Sequence, residues 1–122
     1  MKVVTIRQPW ASLIVYGYKK FEYRSWKTNY RGELLIHAGK TYDKNELLMF
    51  NSLGIEFPIG CIIGKVVLED CLKVTDDLKQ KNQLIYGLTK DFVGYAWKLT
   101  NPIIVDKIYL NGKLSLWEYD LK

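Results

Sequence analysis

The sequence predicts an α+β fold: a small, partly closed β-barrel of about five to six strands with two or three short helices. Several segments are rich in β-branched and aromatic residues or alternate between apolar and polar residues, which is typical of strands. Two short segments carry helix-start signals, and glycines separate the segments. A chain of 122 residues has room for one hydrophobic core, so residues 1–122 are predicted to form a single domain.

The first predicted elements are a strand at residues 3–6 and a short helix. Pro9 suits a first helical position because it needs no backbone N–H partner there. Trp10 and Leu13 follow at the spacing of one helix face, and Gly17 suits the left-handed residue that ends a helix.

Residues 20–26 alternate in a way that predicts the second strand. Side chains two positions apart lie on the same side of a strand. Lys20, Glu22, Arg24 and Trp26 are therefore expected to place opposite charges and an aromatic ring on one face.

The middle of the chain predicts a buried strand at residues 32–38 that ends before Lys40. Asp43 and Glu46, three residues apart, form a helix-start signal, and Gly54 is expected to stop that helix. Residues 60–71 are the longest strand candidate and are predicted to form the central strand.

Two features complicate the second half of the chain. Gly64 is a candidate bulge within the central strand. Residues 75–88 are polar and weakly periodic, so an irregular segment with a turn of helix after Thr75 is expected.

The C-terminal segments predict two strands, a tight turn and a last strand. Residues 95–99 and 103–110 have strand patterns, and Pro102 is expected to interrupt them. The pair 111–112, Asn-Gly, predicts a two-residue hairpin turn into residues 114–119.

Several classes of site and location are disfavoured. No apolar run approaches the roughly 18 residues of a membrane span, and the early charges do not fit a signal peptide, so we expect a cytoplasmic protein without membrane contact. Cys61 and Cys71 lie too far apart on one strand to pair, which indicates reduced core thiols. With His37 they give no zinc spacing, and no nucleotide-cofactor motif occurs, so we predict neither metal nor cofactor.

The positive charge is concentrated at the start of the chain. The net charge is +5, and residues 1–40 carry eight basic and two acidic side chains, whereas the remainder carries ten basic and eleven acidic ones. Aromatic residues are interleaved with the basic ones in this first third. That mixture suits phosphates and bases, although a solvated basic face is an equally simple interpretation of the charge alone.

Two motifs carry a resemblance to a known family. Residues 8–11 are Gln-Pro-Trp-Ala, and residues 17–26 follow the pattern Gly-x-Lys-x-x-Glu-x-Arg-Ser-Trp. Together they resemble the ASCH domain (activating signal cointegrator homology), a family of the PUA-like superfamily. The match extends over nearly the whole chain. It implies a PUA-like barrel with a charged cleft that binds RNA, single-stranded nucleic acid, or a nucleoside or nucleotide.

The resemblance places the second predicted strand in that cleft and directs the choice of site residues. Glu22 is expected to accept hydrogen bonds from a base, while lysines and arginines meet phosphate or carbonyl oxygens. Each candidate residue could instead have a purely structural role, for example in a surface ion pair, as a helix cap or as an aromatic ring in the core. The candidate binding residues are Gln8, Trp10, Lys19, Lys20, Glu22, Arg24, Trp26, Arg31, His37 and Lys40.

An enzymatic function is the first alternative. Some small relatives resemble amidohydrolases of N4-acetylcytidine that use a Lys, a Thr and a Glu. Lys19 fits the start of that pattern, but Glu22 stands where the Thr is expected, and Glu69 is the nearest guess for the later acid. In a hydrolase or ribonuclease, Lys19 and Glu22 would be catalytic, with His37 as a secondary candidate.

A protein-interaction module of the coregulator kind is the second alternative. In the transcription coactivator for which the family is named, the domain is one part of a larger protein. The binding function is favoured over both alternatives, and whether the cleft is catalytic stays open.

Overall fold

A computed structural model describes residues 1–82 and 88–120. This part of the chain contains six strands and three short α-helices. In chain order they are β1 (Lys2–Gln8), α1 (Trp10–Val15), β2 (Phe21–Arg24), β3 (Gly32–Tyr42), α2 (Lys44–Met49), β4 (Cys61–Lys73), α3 (Asp76–Asn82), β5 (Tyr95–Tyr109) and β6 (Leu116–Glu118).

All six strands form one sheet in the order β2-β5-β4-β3-β1-β6. The pair β1 and β3 is parallel, and the other neighbours are antiparallel. The predicted α+β class and the numbers of strands and helices are confirmed. The sheet is not closed into a full barrel, and its arrangement is compatible with the predicted partly closed one. The strand β4 is central, as expected from its β-branched sequence.

The core has two parts, one on each face of the sheet. The helix α1 covers one face, where Ala11, Ile14 and Val15 belong to the same buried cluster as Val4 and Ile6 of β1. The opposite face carries a smaller cluster. Its buried members are Val3, Leu35, Ile62 and Trp117.

Gly64 allows close packing between α1 and the sheet. A Cβ atom at this position would lie 2.4 Å from the Val15 Cγ1 atom and 2.8 Å from the Ile103 carbonyl oxygen. The register of β4 against β5 shifts between Ile62 and Gly64, as the predicted bulge requires. The helix α1 therefore packs directly on the central strand β4. This packing fixes the position from which the segment between α1 and β2 begins.

Two predicted strand limits are wrong. The strand β3 continues through Lys40 to Tyr42 instead of ending before Lys40. The strand β5 runs without a break through Pro102. A register shift against β4 accommodates the proline, and Asn101 takes a positive φ of 52° beside it. A bulge leaves one residue unpaired, so the missing N–H of proline costs no ladder hydrogen bond.

The predicted Asn-Gly hairpin at residues 111–112 is also wrong. The strand β6 pairs with β1, with Val3 opposite Trp117, and not with β5. At its C-terminal end β5 is already paired with β4, where Tyr109 lies opposite Cys61. When β6 pairs with β1 instead, the large Trp117 ring is buried in the smaller of the two core clusters. This burial outweighs the local preference of Asn-Gly for a turn.

The remaining expectations have mixed outcomes. Asp43 caps α2 by accepting hydrogen bonds from two backbone N–H groups. The helix α3 follows Thr75, but the rest of the predicted excursion includes residues 83–87, which lie outside the described residues. Cys61 and Cys71 are buried free thiols. None of the described helices is long and apolar enough to cross a membrane, and a cytoplasmic location stays a prediction.

Candidate functional site

A cleft of about 280 Å³ opens beside the end of β1, the start of α1 and the strand β2. Three of its lining residues are basic, two are aromatic and one is acidic. The lining residues are Thr5, Ile6, Arg7, Trp10, Lys19, Glu22, Tyr23 and Arg24. All of them come from the first 24 residues of the chain, within the segment that carries the excess positive charge.

The end of α1 directs Lys19 into the cleft. Gly17 has a φ of 87°, a left-handed conformation that favours glycine. The backbone N–H groups of Tyr18 and Lys19 both donate to the Leu13 carbonyl oxygen at 2.9 Å. This tight wrapping turns the chain back under the helix, so the Lys19 side chain points inward. Its ammonium group donates to the Phe21 carbonyl oxygen at the start of β2.

Lys19 is a buried cation, with 3% of its surface exposed. Its Nζ lies 4.4 Å from the centre of the Tyr23 ring and 3.8 Å from the Glu22 Oε1 atom. Burial lowers the pKa of Lys19 to about 8; the Glu22 carboxylate opposes this shift and the Arg24 guanidinium adds to it. A large fraction of Lys19 is therefore neutral at mildly alkaline pH, unlike an exposed lysine.

Glu22 is held between two cations. Its Oε2 atom lies 3.0 Å from the Arg24 Nε, and its other oxygen faces Lys19. The Arg24 Nη2 donates to the Thr5 carbonyl oxygen at 2.7 Å, which ties this guanidinium to β1. The Glu22 side chain is only 11% exposed. The carboxylate is thus fixed in position and partly shielded from water, while keeping lone pairs for further hydrogen bonds.

The two aromatic residues that line the cleft, Trp10 and Tyr23, pack against other aromatic rings. Trp10 packs edge-on against Phe50, with ring centres 5.8 Å apart. Tyr23 packs against Phe21 at 6.5 Å and against Phe92 at 6.2 Å. Such contacts hold rings in defined orientations, which suits a wall that a planar ligand would contact.

The sequence model of the ASCH domain family matches residues 4–109 of this chain. The chain belongs to the ASCH family. This confirms the resemblance found in the Gln-Pro-Trp-Ala and Gly-x-Lys motifs, each of which contributes residues to the cleft lining.

Curated relatives and solved structures agree with this assignment. Activating signal cointegrator 1 from Mus musculus is 33% identical and that from Homo sapiens 32% identical over 131 residues, which cover 98% of this chain and 22% of each relative. The chain thus spans about a fifth of the length of these relatives. The crystal structure of ASCH from Zymomonas mobilis superimposes with a TM-score of 0.69 at 16% identity, covering 98% of this chain and 87% of that chain. That likeness supports the fold.

In this ASCH domain Gln8 is a structural residue at the helix start and does not line the cleft. It is fully buried, and its Oε1 accepts from the Ser12 backbone N–H at 3.0 Å. Its Nε2 donates to the Ser12 hydroxyl at 2.7 Å and to the Pro58 carbonyl oxygen at 2.8 Å. The side chain therefore caps α1 and ties it to the segment before β4.

Five other predicted site residues lie away from the cleft lining: Lys20, Trp26, Arg31, His37 and Lys40. His37 and Lys40 line a separate cleft between β3 and the segment before β6. Lys20 is exposed on the far side of the turn that buries Lys19. Trp26 packs edge-on against Trp97, with ring centres 4.9 Å apart, at the border of the core. Arg31 donates to two nearby carbonyl oxygens and lies 3.6 Å from an Asp70 oxygen. The predicted row of charges is therefore divided, because β2 is only four residues long and ends at Arg24.

His37 is buried and both of its ring nitrogens have partners. Its Nε2 lies 2.9 Å from the Leu110 carbonyl oxygen, which can only accept, so Nε2 carries the hydrogen. The Trp117 Nε1 donates to the Thr5 hydroxyl at 3.1 Å, and that hydroxyl in turn faces the His37 Nδ1 at 3.2 Å. The network gives the His37 ring a structural position and supports the simpler interpretation over a general base.

The sequence alone did not single out four residues of the cleft lining: Thr5, Ile6, Arg7 and Tyr23. Thr5 and Arg7 alternate on β1, and this period of two placed both on one face. The strands β1 and β2 are not neighbours in the sheet, and they approach each other where Arg24 donates to the Thr5 carbonyl oxygen, a tertiary contact with no local signal. Conversely, Glu69, the guessed later acid, is exposed, pairs with Lys98 at 3.1 Å and does not line the cleft.

In the described residues, no three His, Cys, Asp or Glu side chains gather closely enough to hold a metal ion. The chemistry available in the cleft is therefore that of the side chains named above: an anchored carboxylate, a buried amine and a guanidinium.

Proposed function

We propose that this ASCH domain binds single-stranded nucleic acid, RNA foremost, by holding one nucleotide in the cleft. The observation that carries the proposal is the Glu22 carboxylate, which is fixed between Lys19 and Arg24 and flanked by Trp10 and Tyr23. An ion pair formed only for stability would not need a cleft or aromatic walls beside it.

The carboxylate supplies selectivity. Ionised glutamate only accepts hydrogen bonds, so it favours a base edge that offers an amino or imino group, such as the N4 amino group of cytosine. Because Arg24 already fixes the position of Glu22, little side-chain entropy is lost when a base binds. A carbonyl oxygen in the same place, such as O4 of uracil, would meet a negative charge. We therefore expect cytidine nucleotides to bind more tightly than uridine nucleotides.

The cations supply affinity. Arg7 stands at the rim with 54% of its side chain exposed, and its contact with Glu46 is long, at 3.6 Å. It is free to turn toward a phosphate, which arginine binds through two parallel hydrogen bonds. Its charge adds to that of Lys19 and Arg24, so the cleft contains three cations and one carboxylate.

The dimensions favour one nucleotide. A volume of about 280 Å³ lies near the lower end of the range for small-molecule sites, roughly 300 to 1,000 Å³. The cleft therefore suits an unstacked base with its sugar, which is how proteins usually read single-stranded RNA.

Titration with short single-stranded RNA, single-stranded DNA and mononucleotides at several salt concentrations tests the proposal. We expect micromolar or tighter binding of oligonucleotides, and a negative slope of log K against log salt of about −0.7 for each phosphate contact. Binding without any salt dependence, or no binding to any of these ligands, would contradict it.

A second candidate function, hydrolysis of an acylated nucleobase such as N4-acetylcytidine, has one observation in its favour. The pKa of Lys19, lowered to about 8 by burial, suits a general base. Neutral Lys19 would take a proton from a water molecule while the water oxygen bonds to the acyl carbon. Lys19 would then return this proton to the departing nitrogen as the amide C–N bond breaks, which releases acetic acid and the free amine. Incubation with N4-acetylcytidine tests this, and turnover that survives Lys19→Met would contradict the role of Lys19.

A further inference from the structure

We propose that a second cleft, next to the first, binds the phosphate of a neighbouring nucleotide, so that the ligand is a strand of at least two nucleotides. This inference rests on the proposed function. The second cleft has a volume of about 370 Å³. Its lining combines residues of β1, β3 and the segment between β5 and β6: Thr5, His37, Gly39, Lys40, Thr41, Asn111, Gly112, Lys113 and Leu114.

The two clefts meet at Thr5, which lines both of them. On the side of the first cleft, the Thr5 carbonyl oxygen accepts from Arg24. On the side of the second, the Thr5 hydroxyl joins the hydrogen bonds of His37 and Trp117. One residue of β1 thus separates the nucleotide site from the second cleft, so a strand leaving the first can enter the second.

The charge of the second cleft fits a phosphate. It is lined by two lysines, Lys40 and Lys113, and by no acidic residue. Lys40 donates to the neutral side-chain oxygen of Asn111 at 3.0 Å, which leaves two of its three N–H groups for a ligand. Lys113 lies 5.9 Å from the centre of the Trp117 ring.

Several surface lysines of this domain have a carboxylate partner, and these two have none among the described residues. Three lysines elsewhere pair with carboxylates at 2.6 to 3.1 Å: Lys65 with Glu33, Lys98 with Glu69 and Lys107 with Glu56. Within residues 1–82 and 88–120, Lys40 and Lys113 form no such ion pair. Their charges are therefore uncompensated, and both face the same concave surface, which raises the local concentration of anions.

The segment that carries Asn111 and Lys113 is held in place before any ligand arrives. His37 donates to the Leu110 carbonyl oxygen at one end. Gly112 packs so closely that a Cβ atom there would lie 2.6 Å from the Thr5 hydroxyl and 2.8 Å from the His37 ring. His37 is thus a positioning residue for the second cleft, and a preset segment loses less entropy on binding.

Leu114 gives the second cleft an apolar rim. Its side chain is 94% exposed, although leucine is usually buried. Beside a phosphate site, this apolar surface can cover one face of the neighbouring base. The second cleft therefore offers contacts to both parts of the next nucleotide.

The test compares Lys40→Gln and Lys113→Gln with the matched control Lys73→Gln, an exposed lysine at the end of β4. We expect each cleft variant to weaken the binding of an eight-nucleotide RNA about three- to tenfold and to reduce the salt slope by about 0.7. Binding of cytidine monophosphate, which fills only the first cleft, should not change. The control variant should change the RNA affinity and the salt slope only by the small amount that the loss of any one exposed positive charge causes.

Two results separate this inference from the proposed function. If both cleft variants bind the RNA as the control does, the second cleft is not a phosphate site even though the first cleft binds nucleotides. If wild-type protein binds the RNA but not cytidine monophosphate, the nucleotide site at Glu22 is wrong. The NMR signal of the Trp117 indole N–H reports on the second cleft. It should shift when the RNA is added and stay unchanged when cytidine monophosphate is added.

Discussion

Glu22→Gln is expected to weaken the binding of cytidine monophosphate about 10- to 100-fold. The glutamine keeps the shape of the side chain but replaces an ionised acceptor, and a hydrogen bond to a charged group contributes about 1.5 to 3 kcal/mol. Removing this carboxylate also frees Arg24 and Lys19 from their partner. Isothermal titration with the four nucleoside monophosphates measures the effect, and the preference for cytidine over uridine should disappear.

Glu69→Gln is the matched control for that change. Glu69 is half exposed, pairs with Lys98 and lies outside the cleft, so the substitution removes the same charge without touching the site. It should leave the preference among bases intact and slightly strengthen binding to any polyanion. Equal effects of the two substitutions would show that Glu22 acts only through net charge.

The free energy of unfolding should depend on pH through Lys19, and Lys19→Met should remove that dependence. The pKa of Lys19 is about 8 in the folded protein and near 10.5 when unfolded, so the unfolded state binds more protons between these values. The destabilising effect of burying the charged amine is fully present below pH 8. It is lost as the pH rises from about 8 to 10.5, so wild-type stability rises in that window relative to the variant.

The expected size of this effect is about 2 kcal/mol between pH 7 and pH 10, since one unit of pKa shift corresponds to about 1.4 kcal/mol. Urea denaturation of wild type and Lys19→Met at each pH measures the difference between their free energies of unfolding. The contributions of titrating groups that both proteins share cancel in this difference. A difference that stays constant across the window would mean that Lys19 is not a buried cation with a lowered pKa.

Much of the fold could be predicted because local signals and tertiary packing agree along most of the chain. The β-branched residues of β4 match its central place in the sheet, and Asp43 caps the helix that its sequence position predicted. The hairpin at residues 111–112 failed because Asn-Gly is only a local preference, whereas pairing β6 with β1 buries Trp117. Which edge a strand joins depends on apolar area buried by residues distant in sequence.

The candidate site was predictable only in part. Glu22 and Arg24 were visible as part of a charge pattern and Lys19 as part of the family motif, and these three residues do meet in the cleft. Trp26 was expected on the same face, but β2 ends at Arg24 and the ring then packs against Trp97. The burial of Lys19 had no signal in the sequence. It follows from the wrapped turn after α1, whose geometry depends on long-range packing.

The indole N–H signals of the tryptophans offer the most direct test that the cleft holds a nucleotide. Trp10 lines the cleft, whereas Trp97 is fully buried in the core and serves as an internal reference. In a two-dimensional NMR titration with cytidine monophosphate, the Trp10 signal should move and saturate while the Trp97 signal stays fixed. A Trp10 signal that does not move at saturating nucleotide would contradict the account.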